Sequence, residues 1–292
     1  MNTFKKLSLA AALLASFSAQ LQAQTPDWQN ISSSFKYVEK GTGKKIVIAA
    51  ANIKTGVSLE RLSLLSGEGN TEKKIFSGLL AGAASLAGIK GDFASREPIE
   101  EHLKQEDAEK MAAEALEMLS AKLKAAGLDV QGPKIVAEAP FYPSVKGEAK
   151  TRKTTDSQDG GLFKKGYFYG IYETPVAGLK FRDVSGFELM NTDLYSSANQ
   201  VAGSSGAIDM SLGMVNDKST LSLTSFTVKV YALGKGSTKT SAYFTLVLKN
   251  GSAFSVPSGG KDTLAYWEVL KPKMDILFED VSKRIATAYA EE

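Results

Sequence analysis

Cysteine is absent from this 292-residue chain. Its absence excludes disulfides, thiolate metal sites, a cysteine nucleophile and lipidation at a lipobox cysteine. Histidine occurs once, as His102, so a His-rich metal cage, a zinc finger and a Cys-His dyad are excluded as well. No Gly-x-Ser-x-Gly elbow is present to partner that histidine. His102 stands among Glu100, Glu101, Lys104 and Glu106, which reads as a solvated position on a helix surface.

A strong charge of one sign is missing too. The chain carries 35 basic and 32 acidic side chains, and without Lys5 and Lys6 the balance falls to 33 against 32. No field of that size points to nucleic acid or to an anionic membrane. Long hydrophobic runs are also lacking: the stretch Leu7 to Phe17 is interrupted by Ser8 and Ser16 and is shorter than the ~20 residues a membrane helix needs.

That short stretch follows Lys5-Lys6 and precedes the small and polar segment Ser18 to Gln24. The order is that of a bacterial secretory signal peptide over residues 1–23, with cleavage after Ala23 and Ala19 as a second candidate. The expected location is the periplasm or the exterior. A mature chain of about 269 residues is long enough to rely on its own core without cross-links.

Residues 24–137 read as an α/β portion. Ile46 to Ala51 form a β-branched and alanine run, read as a buried strand that ends at Asn52 and the turn-like Lys54-Thr55-Gly56. Leu59, Leu62, Leu64 and Leu65 suggest a short helix. From Glu97 to Ala126 the pattern is helical, with Pro98 in the first turn, a stripe of Met111, Ala115, Leu116, Leu119 and Leu123, and Gly127 at the C-terminal stop. Leu128 to Val130 and Lys134 to Ala137 are expected to return as strand.

The segment Phe76 to Ile89 is uncharged and rich in small residues, with Gly78 and Gly82 four apart and Leu79 and Leu86 beside them. Such spacing permits close helix approach and in lipid marks dimerisation. At 14 residues it is shorter than a bilayer span, so a buried or interface helix is the first reading. A membrane-inserting or self-associating element is the second.

Residues 138–166, with Pro140, Pro143 and a mixed-charge stretch, read as a loop or linker. Residues 167–292 then read as a β-meander with a closing helix, packed with the first portion as one domain. Tyr167, Tyr169 and Tyr172 lie in an aromatic run that is a strand and a possible stacking surface. Ile208, Met210, Leu212 and Met214 alternate with polar or small residues. Leu221, Leu223, Phe226, Val228 and Val230 form the next strand, with a bulge where the alternation slips between Leu223 and Phe226. Ala242 to Leu248 follow, and Asn250-Gly251 is a hairpin signal. The last helix begins near Asp262, is interrupted or kinked near Pro272, and buries Met274, Leu277, Phe278, Val281, Ile285 and Ala288.

The fold class implied is α/β or α+β, with a mainly antiparallel sheet covered by a central and a C-terminal helix. Its element order resembles the periplasmic α/β domain shared by curli-secretion lipoproteins, penicillin-binding-protein activators and the amino-terminal domain of TolB. The likeness rests on the strand Ile46 to Ala50, the following Asn52 to Gly56, the helix end Leu123 to Leu128, the meander and the closing helix. It includes no diagnostic motif, and it implies a non-catalytic assembly or accessory role in the cell envelope.

Gly67-Glu68-Gly69 and Gly234-Lys235-Gly236 lack the rest of a phosphate-binding fingerprint and read as turns. Carboxylates such as Glu188 and Asp209 leave a carboxylate-dependent hydrolase as an alternative. No catalytic, cofactor or metal residue is assigned. The leading expectation is a non-catalytic periplasmic binding or envelope-assembly protein with a protein partner or with itself as partner, membrane contact being allowed but not required.

Overall fold

The computed structural model describes residues 25–30, 44–59, 99–158, 167–182, 193–234, 240–259 and 262–290. The small-residue segment 76–89 lies outside the described residues, as do residues 1–24, which hold the expected signal.

Among the described residues nine strands form one sheet: β1 (Trp28–Asn30), β2 (Lys45–Leu59), β3 (Asp129–Gln131), β4 (Arg152–Gln158), β5 (Tyr167–Thr174), β6 (Gly206–Asn216), β7 (Thr220–Leu233), β8 (Thr240–Leu248) and β9 (Ser255–Pro257). The main path runs β1-β8-β7-β6-β2-β5-β4, with β3 beside β2 and β9 beside β7. Most pairs are antiparallel; β2 is parallel to both β6 and β3. The described residues hold four α-helices, α1 (Gln105–Ala125), α2 (Lys134–Ala137), α3 (Asp193–Ala202) and α4 (Thr263–Ala290); α1, α3 and α4 pack against the sheet and α2 against α3.

Helix α1 forms where the periodicity puts it. Met111, Ala115, Leu116, Leu119 and Leu123 are all buried. Gly127 adopts φ +86°, and the Leu128 and Gly127 amides donate to the carbonyls of Leu123 and Lys124, the paired bonds of a Schellman stop. Its start is later than the acidic sequence suggests. Ile99–Glu101 form a separate 3-10 turn that buries Ile99 and His102.

Helix α4 runs uninterrupted through Pro272 and buries all six residues of its predicted stripe. The two long helices are zipped together across the sheet. Trp267 Nε1 donates to Glu114 Oε2 at 2.7 Å, Lys271 Nζ meets the same oxygen at 2.8 Å, and Lys122 meets Asp275 at 2.6 Å.

The meander β6-β7-β8 is as read, and its bulge falls where the alternation slips. Gly213 pairs with Ser225 but Met214 pairs with Leu223, so Thr224 is the extra residue.

Five expectations are corrected. The turn at 54–56 is instead strand, because β2 continues to Leu59 between β6 and β5, and Leu59 belongs to it rather than to a helix. Residues 134–137 are helix α2: Pro133, at φ −61° and ψ −24°, opens a helical turn that its ring favours. The loop 138–166 contains β4, a strand of polar sequence at the end of the main path, which carries no apolar alternation to mark it. Asn250-Gly251 does not close a two-residue hairpin. It leads through a 3-10 turn to β9, which pairs with the start of β7 beyond the reach of β8. His102 is buried, and its carbonyl accepts from the amide and hydroxyl of Thr263 at the start of α4.

Candidate functional site

Strand β2 has β6 along one side. On the other side it pairs with β3 only at Lys45–Val47 and with β5 only at Ile53–Leu59. Among the described residues, 48–52 therefore have no strand partner on that side, a split in the sheet. Pro133 follows β3 and Pro175 follows β5; proline lacks the N–H that a ladder needs, so neither strand continues into the gap.

A small lobe made from residues 133–148 and 175–182 lies at the split. Its halves are bridged at Glu148 and Phe181. Tyr142 Oη accepts from the Lys180 amide at 2.6 Å, and Lys180 Nζ donates to the carbonyls of Pro143 and Val145 at 3.0 and 2.6 Å. The lobe attaches to β2 through the Arg182 amide, which donates to Asn52 Oδ1 at 2.7 Å.

From that contact a buried polar cluster extends. Asn52 Nδ2 reaches Asp209 Oδ1 at 3.4 Å, and Tyr195 Oη donates to Asp209 Oδ2 at 2.5 Å. Arg182 Nη1 lies 3.4 Å from the same tyrosine oxygen. Tyr195 stacks on Tyr231 with ring centres 3.7 Å apart and planes 2° from parallel. The four residues come from β2, the segment after β5, α3 and β6. Their placement follows from strand alternation, which puts Ala50, Asn52 and Lys54 on one face of β2, with Asp209 in register with Ala50.

The electrostatics are those of a dry interior. Asp209 is only 4% exposed, and burial pushes its carboxyl above the usual carboxylate range. The Tyr195 and Asn52 hydrogen bonds and the charges of Lys229 and Arg182 oppose that rise without cancelling it. Burial and the neighbouring Asp209 likewise push the Tyr195 hydroxyl up, and Tyr231 up to about 12. Arg182 is 8% exposed, and its Nε has no hydrogen-bond partner.

A second group lies two residues further along the same face of β2. Glu173 Oε1 meets Lys54 Nζ at 3.1 Å, and its Oε2 accepts from Arg152 Nη2 at 2.6 Å and Nε at 3.0 Å. Lys54 also sits 5.6 Å over the Phe181 ring. Here one buried carboxylate is neutralised by two cations whose side chains reach the surface.

Of the residues singled out from sequence, Asp209 lies at the centre of the cluster, whereas Glu188 lies outside the described residues. Gly78, Leu79, Gly82 and Leu86 lie outside them too. The aromatic run does form β5, but Tyr172 and Tyr169, three apart, face opposite sides of the sheet. Tyr172 is buried, with its hydroxyl on Glu100 Oε1 at 3.3 Å; Tyr169 is half-buried. Tyr167 is the first residue of the same strand, and its side chain lies outside those described. Arg182 and Tyr195 were not foreseen. Neither sits in a motif, and the one available signal was a charge, Asp209, in the middle of an otherwise uncharged strand.

Among the described residues no group of three or more His, Asp or Glu side chains could hold a metal ion, and no helix is long and apolar enough to cross a membrane. No family model matches the chain. Comparison with curated proteins finds no match, and comparison with solved structures finds none either.

Proposed function

We propose that this chain is an exported, non-catalytic protein that acts in the cell envelope by binding a protein partner or by assembling with itself. The observation that carries the reading is where the chemically capable side chains are used. Asp209, Glu173, Arg182 and Tyr195 are spent on tying strands, lobe and helix together, and His102 is packed under the start of α4. A general acid or base must reach a substrate proton, and these groups face one another instead. The resemblance in element order to periplasmic assembly and accessory domains leads to the same reading. A carboxylate hydrolase would need two acids opposed across a cleft at about 5 to 9.5 Å, whereas Asp209 is enclosed by tyrosine and asparagine.

One observation favours a more specific form, self-association or membrane contact through residues 76–89. The chain leaves the described core at Leu59 and re-enters at Ile99, and both side chains lie within van der Waals reach of Gly170. The core therefore closes on itself where residues 60–98 leave and return to it.

Fractionation of producing cells, followed by size exclusion with light scattering in the presence and absence of detergent, tests both forms. A processed periplasmic species supports export; an unprocessed cytoplasmic one overturns it. A detergent-sensitive oligomer lost on Gly82→Leu assigns assembly to residues 76–89. A detergent-insensitive monomer removes that form and leaves capture of a separate partner.

A further inference from the structure

We propose that helix α3 is a proton-controlled cover, held closed over β2 and β6 while Asp209 carries a proton and loosened when that carboxyl ionises. The geometry is that of a carboxylate sealed in without a direct counter-ion. Every element around it contributes a named group: Tyr195 from α3, Asn52 from β2, Arg182 from the segment after β5, and Tyr231 and Lys229 from β7, Lys229 standing opposite Asp209 in register. The two groups that touch the carboxylate are neutral donors. The guanidinium of Arg182 spends Nη1 on the tyrosine oxygen instead and leaves Nε unpartnered, and Lys229 is half-buried and makes no ion pair with it. A buried charge held only by neutral donors is costly, and either a proton or water relieves it.

Helix α3 is the element that can yield. It has ten residues, too few for an isolated helix to persist in water, so its position depends on tertiary contacts. Those contacts include Leu194, Tyr195, Ala198 and Ala202, the Tyr195–Tyr231 stack, the Asp209 hydrogen bond, Asn199 Nδ2 on the Tyr231 carbonyl at 3.2 Å, and packing against α2. Two of the four buried side chains are alanines, which bury little area. Lifting α3 would rehydrate Asp209 directly while β6, clamped between β2 and β7, stays paired. Because the closed state holds the proton more tightly than the open state, closure is fully favoured in acid. It weakens as pH rises through the closed-state pKa.

Hydrogen exchange of the full mature chain, read by mass spectrometry between about pH 4.5 and 8.5 and corrected for the intrinsic rate, tests this. The opening constant over residues 193–202 is expected to rise with pH by up to ~10-fold per unit, while residues 274–290 of α4 stay unchanged. Asp209→Asn keeps an acceptor for Tyr195 and is expected to give a flat, protected profile. Flat wild-type protection overturns the proposal, as does pH dependence retained in Asp209→Asn or shared equally by α4. Should that variant fail to fold, a carboxyl-carbon NMR titration of Asp209 in the unaltered chain decides the matter: a midpoint at the ordinary aspartate value overturns the cover.

Discussion

Trp28 Nε1 donates to Asp280 Oδ2 at 2.6 Å, fastening the first described strand to the last helix across nearly the whole chain. The indole also lies 5.8 Å from the ring of Phe226, which meets Phe278 at 5.5 Å. Strand β1 has only three residues, so this anchor, more than its ladder to β8, holds the start of the described chain in place. Trp28→Ala is expected to cost about 3 kcal/mol in urea unfolding. Trp28→Phe, which keeps a ring but loses the hydrogen bond, should cost about 1 kcal/mol. A Trp28→Phe variant as stable as the wild type would show that the bond to Asp280 carries nothing.

Gly206 opens β6 directly beneath a tyrosine. A Cβ built there would lie 2.0 Å from Tyr289 Oη and 3.0 Å from a methyl of Val230, and Tyr289 is buried. Gly206→Ala should therefore lower stability by about 1 to 3 kcal/mol through overpacking. The double variant with Tyr289→Phe should recover part of that loss, since the nearest clashing atom is gone. Simple additivity of the two costs in chemical denaturation would refute the contact as the cause.

Glu114 joins α1 to α4 through Trp267 and Lys271. Burial pushes its carboxyl up, but the hydrogen bonds from Lys271 and Trp267, with the charges of Lys271 and Lys110, outweigh burial and hold it below the usual value. The sign follows: a depressed native pKa stabilises above the unfolded value of 4.5 and ceases to do so as pH falls through the native one. Glu114→Gln is expected to lose about 1 kcal/mol at neutral pH. The gap to the wild type should narrow steadily below about pH 4.5. A gap that does not change between neutral and acid would contradict this account.

Asn52 serves two partners, accepting from the Arg182 amide and donating to Asp209. Asn52→Ala leaves a buried N–H without its acceptor, expected to cost about 1 to 3 kcal/mol. Limited proteolysis should then cut first within residues 175–182, because that is the segment the bond holds against β2. A cut pattern identical to the wild type would mean that the lobe is held by other contacts.

Much of this fold was legible from the order of residues, and for one reason. Wherever an element buries one side and wets the other, the periodicity records it. The stripes of α1 and α4, the alternation of β8, and the slip that marks the β7 bulge are all such records. Gly127 was legible because its positive φ is a local demand.

What remained hidden is what sequence neighbours do not decide. Strand β4 carries polar residues because it lies at the sheet border. Residues 134–137 have strand-like side chains, yet Pro133 starts them as helix. Asn250-Gly251 suits a hairpin, but the open stretch at the start of β7 captures β9 instead. The same holds for the candidate site. The sequence by itself determined that Asp209 lies on the face of β6 opposite Ile208 and Met210. Only the tertiary structure decided that this face is dry, because α3 closes over it with Tyr195 and the segment after β5 adds Arg182 beside a carboxylate that alternation alone would have left in water.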